Sequence, residues 1–185
     1  MTEEQLIQEI VCGNTLAFKM IMEKYQDRVF CVAMGFVHSK EDAEDLTQEV
    51  FIKVYLSLST FNHKSKFSTW LYRITINTCI NFANRNRKRR LLQSLEDVWY
   101  SAFNQRDEEQ TPLEKMEISE RNLLIKKAID SLSDRQRVAF ILSKYEELPQ
   151  KEIAAIMDTT EGAVEQLLQR AKNNLQKKLK RSVGN

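Results

Sequence analysis

Between Val50 and Leu95 the chain carries nine Lys or Arg and not one Asp or Glu. The same stretch holds Phe51, Tyr55, Phe61, Phe67, Trp70, Tyr72 and Phe82. Lysine and arginine attract phosphates, and aromatic rings stack on unpaired bases. A bare charge run reads as a solvated face; an acid-free basic run interleaved with aromatics reads as a nucleic-acid surface. Just before it, five of the nine residues from Glu41 to Glu49 are acidic. A third constellation lies further on. Ala154, Asp158 and Val164 have the spacing of a helix-turn-helix: a small residue where two helices touch, a turn residue that tolerates positive φ, and an apolar plug. In that motif the second helix enters the major groove N-terminus first. Its exposed start here is Thr160, Glu161, Gly162, Ala163, Glu165 and Gln166, followed by Gln169, Arg170 and Lys172. Glutamate can accept from cytosine N4, glutamine can pair with adenine, and the basic residues can reach phosphate. A plain helical hairpin has the same spacing, so the motif alone leaves both readings open.

Other chemistry finds few candidates. His38 and His63 are the only histidines, and neither stands in an HExxH or ExxH arrangement. No glycine-rich phosphate loop is present. The acidic cluster lacks a histidine partner or a second carboxylate helix for a metal. The expectation is therefore no catalytic residue, no metal site and no cofactor.

The elements that position these residues follow from composition. The chain has 185 residues, 29% charged and 42% hydrophobic, with only 4 Gly and 2 Pro. Strands with frequent turns need more of both, so helices are expected throughout. No apolar run nears the ~20 residues that span a bilayer, and the acidic Met1-Thr2-Glu3-Glu4 start has no basic-then-apolar signal. A cytoplasmic protein without membrane insertion is expected. Cys12, Cys31 and Cys79 are odd in number and widely spaced, which fits reduced core residues. The formal charge of +2 conceals three blocks. Residues 1–94 are net +3, residues 95–120 net −6, and residues 121–185 net +5.

Capping signals divide the chain further. Thr2 caps a short first helix, and Asn14 a second whose apolar stripe runs from Phe18 to Phe36. Ser39 opens a third in the manner of a capping box. Residues 61–66 read as a loop, and a fourth helix runs from Phe67 to about Arg87. Residues 95–111 read as a flexible acidic linker, although Trp99, Tyr100 and Phe103 give it a reason to dock. Fully extended, it reaches roughly 56–61 Å, or about 16–18 base pairs of DNA. Thr111-Pro112-Leu113-Glu114, Ser133, Leu148-Pro149 and Thr159 or Thr160 each start a helix in the second domain. The expected fold is all-α, with domains over 1–94 and 112–185.

In combination, these segments resemble bacterial RNA polymerase sigma factors of the extracytoplasmic-function type. Ala43 to Phe51, Phe67 to Ile74, Glu152-Ile153-Ala154, Gly162-Ala163-Val164 and Arg170-Ala171-Lys172 carry the resemblance, in order, along nearly the whole chain. It implies a transcription initiation subunit, monomeric when free, that lends promoter specificity to core RNA polymerase. Glu41, Asp45, Gln48 and Glu49 would dock on the clamp helices of the largest subunit. Phe61, Lys64, Lys66, Phe67, Ser68, Thr69, Trp70, Arg73 and Asn77 would open the −10 element and hold its flipped bases. The helix-turn-helix would read the −35 element, and the acidic linker would thread toward the RNA exit path. An anti-sigma partner is implied as well. Two departures stand out. Glu165, Gln166 and Leu167 replace a common Lys-Ser-Arg, and Pro149 replaces a capping Ser. The rival reading is a stand-alone helix-turn-helix regulator, which has no need of the Asp45–Glu49 and Phe67–Ile74 segments.

Overall fold

The computed structural model describes residues 2–101 and 123–183, with side chains for 2–87 and 123–180. All regular structure among them is helical. The N-terminal unit contains α1 (Glu3–Val11), α2 (Thr15–Val37), α3 (Lys40–Ser57), a 3₁₀ turn (Leu58–Thr60) and α4 (Phe67–Ser101). The C-terminal unit contains α5 (residues 123–130), α6 (Asp134–Lys144), α7 (Gln150–Ile156) and α8 (Glu161–Val183).

Local sequence explains the starts. Thr2 and Gln5 form a reciprocal capping box on α1. The Asn14 side chain accepts from the Leu16 and Ala17 amides, and Ser39 Oγ accepts from Asp42 N at 3.3 Å. Each such cap contributes about 1 kcal/mol. Ser133 occupies the cap of α6 but makes no side-chain cap bond, and Pro149 caps α7 with none available. Thr160 Oγ1 accepts from Ala163 N, so Thr160 rather than Thr159 caps α8.

Two sequence expectations need correction. Helix α4 does not stop near Arg87 but continues to Ser101, through residues read as linker. Residues 86–98 contain no Gly or Pro and many good helix formers, so nothing local ends the helix. Arg85 and Arg87 therefore lie within α4, not at its C-terminus. Of the cysteines only Cys79 is buried, its thiol pushed up to about 12 by desolvation; Cys12 and Cys31 are exposed. The side chains of Trp99, Tyr100 and Phe103 and the cap at Thr111 lie outside the described residues.

Two apolar clusters organise the chain. One belongs to the N-terminal unit and holds Leu6, Ile21, Val29, Val50, Phe51, Val54, Phe61, Phe67 and Leu71. The other is shared: Val32, Phe36, Leu46, Tyr72 and Ile76 pack with Val138, Ile141, Leu142, Ile153 and Ile156. Each such buried aliphatic or aromatic side chain contributes roughly 1.5–3 kcal/mol. Two neighbouring units are thus joined by core as well as by chain. Gly35 lies inside α2, where glycine costs about 0.5–1 kcal/mol relative to alanine. Its reason is close approach: a Cβ there would stand 3.0 Å from both Cγ1 and Cγ2 of Ile141.

Candidate functional site

Three surfaces carry the residues singled out by sequence. The first is α3. Its buried residues are Ala43, Leu46, Val50, Phe51 and Val54. That fixes the opposite face outward, with Glu41, Asp45 and Gln48 exposed and Glu49 half-buried. Lys53 Nζ lies 2.6 Å from Glu49 Oε1, so this carboxylate is already paired. The acidic residues cluster toward the helix N-terminus, where negative charge suits the macrodipole. Composition did not reveal that the same face continues as Ile52 and Leu56, 60% and 74% exposed. The spacing 45, 49, 52, 56 is one helical face and was the available signal. The surface is thus acidic at one end and apolar at the other.

The second surface is the 61–66 loop with the start of α4. Phe61 and Phe67 are buried in the N-terminal unit's own cluster, 8% and 3% exposed, and Thr69 is buried too. In the chain without DNA these three expected DNA contacts are thus covered by protein. The rings pack edge-on or tilted against one another: Phe61 lies 5.8 Å from Phe67 and 5.3 Å from Trp70, and Tyr25 lies 5.6 Å from Phe67. Such aromatic pairs add about 0.5–1.5 kcal/mol each. Both rings pack against Trp70, which is half-buried. Lys64, Lys66, Arg73 and Asn77 are exposed, and Ser68 is half-buried. A cleft of about 380 Å³ runs beside Lys66, Phe67 and Ser68, with Glu3 on its far wall. Burial alone would raise the Glu3 carboxyl, but bonds from Lys24 and Tyr25, both at 2.6 Å, outweigh it and leave its pKa lowered.

The third surface is the α7–turn–α8 unit. Asp158 has φ 51°, the left-handed conformation read from its position. Thr159 N donates to the Ala154 carbonyl at 3.0 Å and closes the turn. Ala154 and Val164 are 5% and 0% exposed and pack in one cluster. Thr160, Glu161, Gly162, Glu165, Gln166, Gln169, Arg170 and Lys172 are exposed along α8, and Ala163 is half-buried. The helix-turn-helix geometry is therefore present, with its second helix free along the face a groove would receive.

The structure also brings together residues that periodicity could not pair. Tyr72 Oη donates to Glu146 Oε2 at 2.6 Å. Desolvation and that carboxylate raise the Tyr72 pKa; burial raises that of Glu146, against the bond from Tyr72 and the nearby Arg28. Arg73 Nη2 and Nε donate to the carbonyls of Ala155 and Ile156 at 2.7 and 3.2 Å. Arg137, 8% exposed, donates to the Phe36 carbonyl and to Asp130 Oδ1. Burial lowers the Arg137 pKa, and Asp130 and Asp134 pull it back up.

Comparison with known proteins follows these boundaries. Residues 21–89 match the family described as Sigma-70 region 2, and residues 122–175 match Sigma-70, region 4. The chain is 31% identical over 180 residues to the RNA polymerase sigma-H factor of Pseudomonas aeruginosa, covering 96% of this chain and 93% of that protein. It is 31% identical over 182 residues to the ECF RNA polymerase sigma-E factor of Escherichia coli K12, covering 97% and 95%. Among solved structures it is similar to the sigma factor RpoE of Bartonella quintana in complex with the anti-sigma factor NepR. That match has a TM-score of 0.58 and 27% identity, over 88% of this chain and 96% of the other. CnrH in complex with the cytosolic domain of CnrY shares the fold, with a TM-score of 0.67 at 20% identity over 94% of each chain. Region 2 takes in the acidic helix, the loop and α4 up to Arg89, and region 4 takes in the helix-turn-helix. The chain belongs to the extracytoplasmic-function group of bacterial sigma factors, the initiation subunits that give RNA polymerase its promoter specificity.

Proposed function

We propose that the three surfaces divide the work of initiation. The outward face of α3 docks on core RNA polymerase: Glu41, Asp45, Gln48 and Glu49 meet basic groups on the clamp helices of its largest subunit. Ile52 and Leu56 bury against apolar side chains of the same site. Lys64, Lys66, Arg73 and Asn77 hold the melted −10 strand. The half-exposed Trp70 offers a stacking face, and the cleft beside Ser68 receives an unstacked base. Stacking on an aromatic ring is worth about 1–3 kcal/mol per base, comparable to the cost of unstacking it. The exposed face of α8 reads duplex upstream, with Arg170 and Lys172 on phosphates and Thr160, Glu161, Glu165, Gln166 and Gln169 toward base edges.

In this reading the protein acts by binding in the cytoplasm, with no chemistry of its own, and an anti-sigma protein regulates it. The relative solved with an anti-sigma factor supports that partner. The observation that carries the division of labour is the α3 face. Its acidic and apolar halves point away from both cores, as a protein-docking stripe requires and a stand-alone DNA-binding regulator does not. Gel filtration with purified core polymerase tests it. Co-elution at one-to-one stoichiometry is expected, and separate elution at micromolar concentrations removes the docking assignment.

A further inference from the structure

Lys53 joins two of the three surfaces. It stands on α3 one turn after Glu49, and its Nζ lies 2.6 Å from Glu49 Oε1. The same Nζ donates to Thr78 Oγ1 on α4 at 3.2 Å. Two of the three N–H donors of the ammonium are thus engaged. Thr78 is 3% exposed, so its hydroxyl is a fixed acceptor in the contact between α3 and α4. The ion pair itself stays open to water, with the Lys53 and Glu49 side chains 44% and 42% exposed. Along α4, residues 74, 77, 78 and 81 share one side of the helix. Thr78 therefore lies beside the exposed Asn77 and Asn81. One ammonium sits where the outward face of α3 meets the polar row of α4.

We infer that Lys53 exchanges partners during initiation, from Glu49 to a backbone phosphate of the melted strand. The inference rests on the reading of Glu49 as a polymerase contact and of Asn77 as a strand contact. Glu49 cannot give its full charge to the polymerase while Lys53 holds it. An exposed ion pair is weak and is readily given up for a better partner. A guanidinium on the polymerase is such a partner, because it offers a carboxylate two parallel N–H bonds where an ammonium offers a point charge. Once Glu49 turns to it, Lys53 loses its counter-charge but keeps the bond to Thr78, which holds the ammonium at the edge of α4. A strand lying along Arg73 and Asn77 brings its phosphates to that edge, and the unneutralised ammonium takes one. Polymerase docking thereby adds one phosphate contact to strand capture. By reciprocity, the captured strand strengthens docking through the same residue.

Lys53→Met tests the exchange, because it removes the charge and keeps most of the stem. Fluorescence anisotropy with labelled core polymerase reads docking. A fluorescein-labelled single-stranded 12-mer of mixed sequence, titrated with the protein–core complex over a range of salt and referred to core alone, reads strand capture. The variant should bind core about 1.5- to 5-fold more tightly, since nothing competes for Glu49. It should bind the 12-mer roughly fivefold more weakly near 0.1 M salt, with a log–log salt slope shallower by about 0.7, the loss of one phosphate contact on a single strand. The opposite signs separate exchange from a merely structural bridge, whose loss would weaken both. Lys53→Arg keeps the charge and should keep the wild-type slope. Lys53→Gln takes the place of Lys53→Met if the latter loses its cooperative melt. Weaker binding in both assays, an unchanged salt slope, or core binding that does not tighten each overturns the exchange. Failure of the wild type to bind core removes the docking reading and the exchange with it, whereas a wild type that binds core and a variant identical to it remove the exchange alone.

Discussion

The guanidinium of Arg73, near the start of α4, donates to the backbone carbonyl of Ile156 at 3.2 Å, across 83 residues of chain. Arg73 sits one position after Tyr72, which is 2% exposed and bonded to Glu146. Adjacent residues of one helix turn thus anchor two different places on the C-terminal unit, α7 and the loop before it. This geometry ties the Arg73 side of α4 to the scaffold of the helix-turn-helix.

Charge reversal on α3 separates docking from folding. Asp45 is exposed and Glu49 half-buried on a helix whose opposite side is fully packed. Asp45→Lys with Glu49→Lys should weaken binding to core polymerase at least tenfold while the far-ultraviolet dichroism stays unchanged. Ile52→Ser with Leu56→Ser should weaken it too, through lost apolar burial of order 1–3 kcal/mol per side chain. Fluorescence anisotropy with labelled core enzyme gives both numbers, and undiminished affinity in both variants would show that α3 is not the docking face.

Trp70 divides its ring between the aromatic cluster and solvent. Trp70→Ala should leave polymerase binding intact and reduce promoter opening about 5- to 160-fold, the kinetic equivalent of losing one stacked base at roughly 1–3 kcal/mol. Permanganate footprinting of unpaired thymines reads the opening. If the variant loses its cooperative melt instead, the residue serves the core.

Asp158 holds the turn of the helix-turn-helix at positive φ with an exposed side chain. Asp158→Gly should keep or slightly raise stability, because glycine adopts this conformation without steric cost. Asp158→Val should lower it by roughly 1–2 kcal/mol, a fall of about 2–8 °C in Tm for a chain of this size. Thermal melts of the pair check the order, and equal Tm values would mean that the turn is not strained.

Glu3 supplies a pH prediction. Its carboxyl is held below its ordinary value in the folded chain, so the folded state binds this proton less readily than the unfolded state does. The stabilisation is complete above the unfolded value near 4.5 and is lost as pH falls through the depressed folded value. Glu3→Gln should therefore lower Tm at pH 7 and make little difference at pH 3. Scanning calorimetry across that range tests it, and a constant difference at all pH values would assign the effect to something other than the charge.

Much of this was legible in the sequence because it is local. Asn14 and Ser39 announce helix starts through side-chain oxygens placed two or three residues before the amides they accept from. Asp158 is readable because few residues tolerate its backbone angle. The basic aromatic stretch was legible as a class, but not residue by residue. Aromatic character does not say whether Phe61 and Phe67 face a base or each other, and in the free chain the two rings contact each other. The length of α4 was misread because charge and low periodicity suggested a linker where no residue breaks the helix. The contact between units left only one trace, Gly35 in the last turn of α2, since bonds such as Tyr72 to Glu146 join residues far apart in the chain.

The central claim is that this chain directs core polymerase to promoters, and run-off transcription tests it most directly. Purified core enzyme is incubated with a pool of genomic fragments, with and without the protein, and transcript starts are mapped. The account predicts discrete new start sites that appear only with the protein and disappear with the Asp45→Lys, Glu49→Lys variant. Tight binding to duplex DNA with no association with core enzyme and no new transcripts would contradict it.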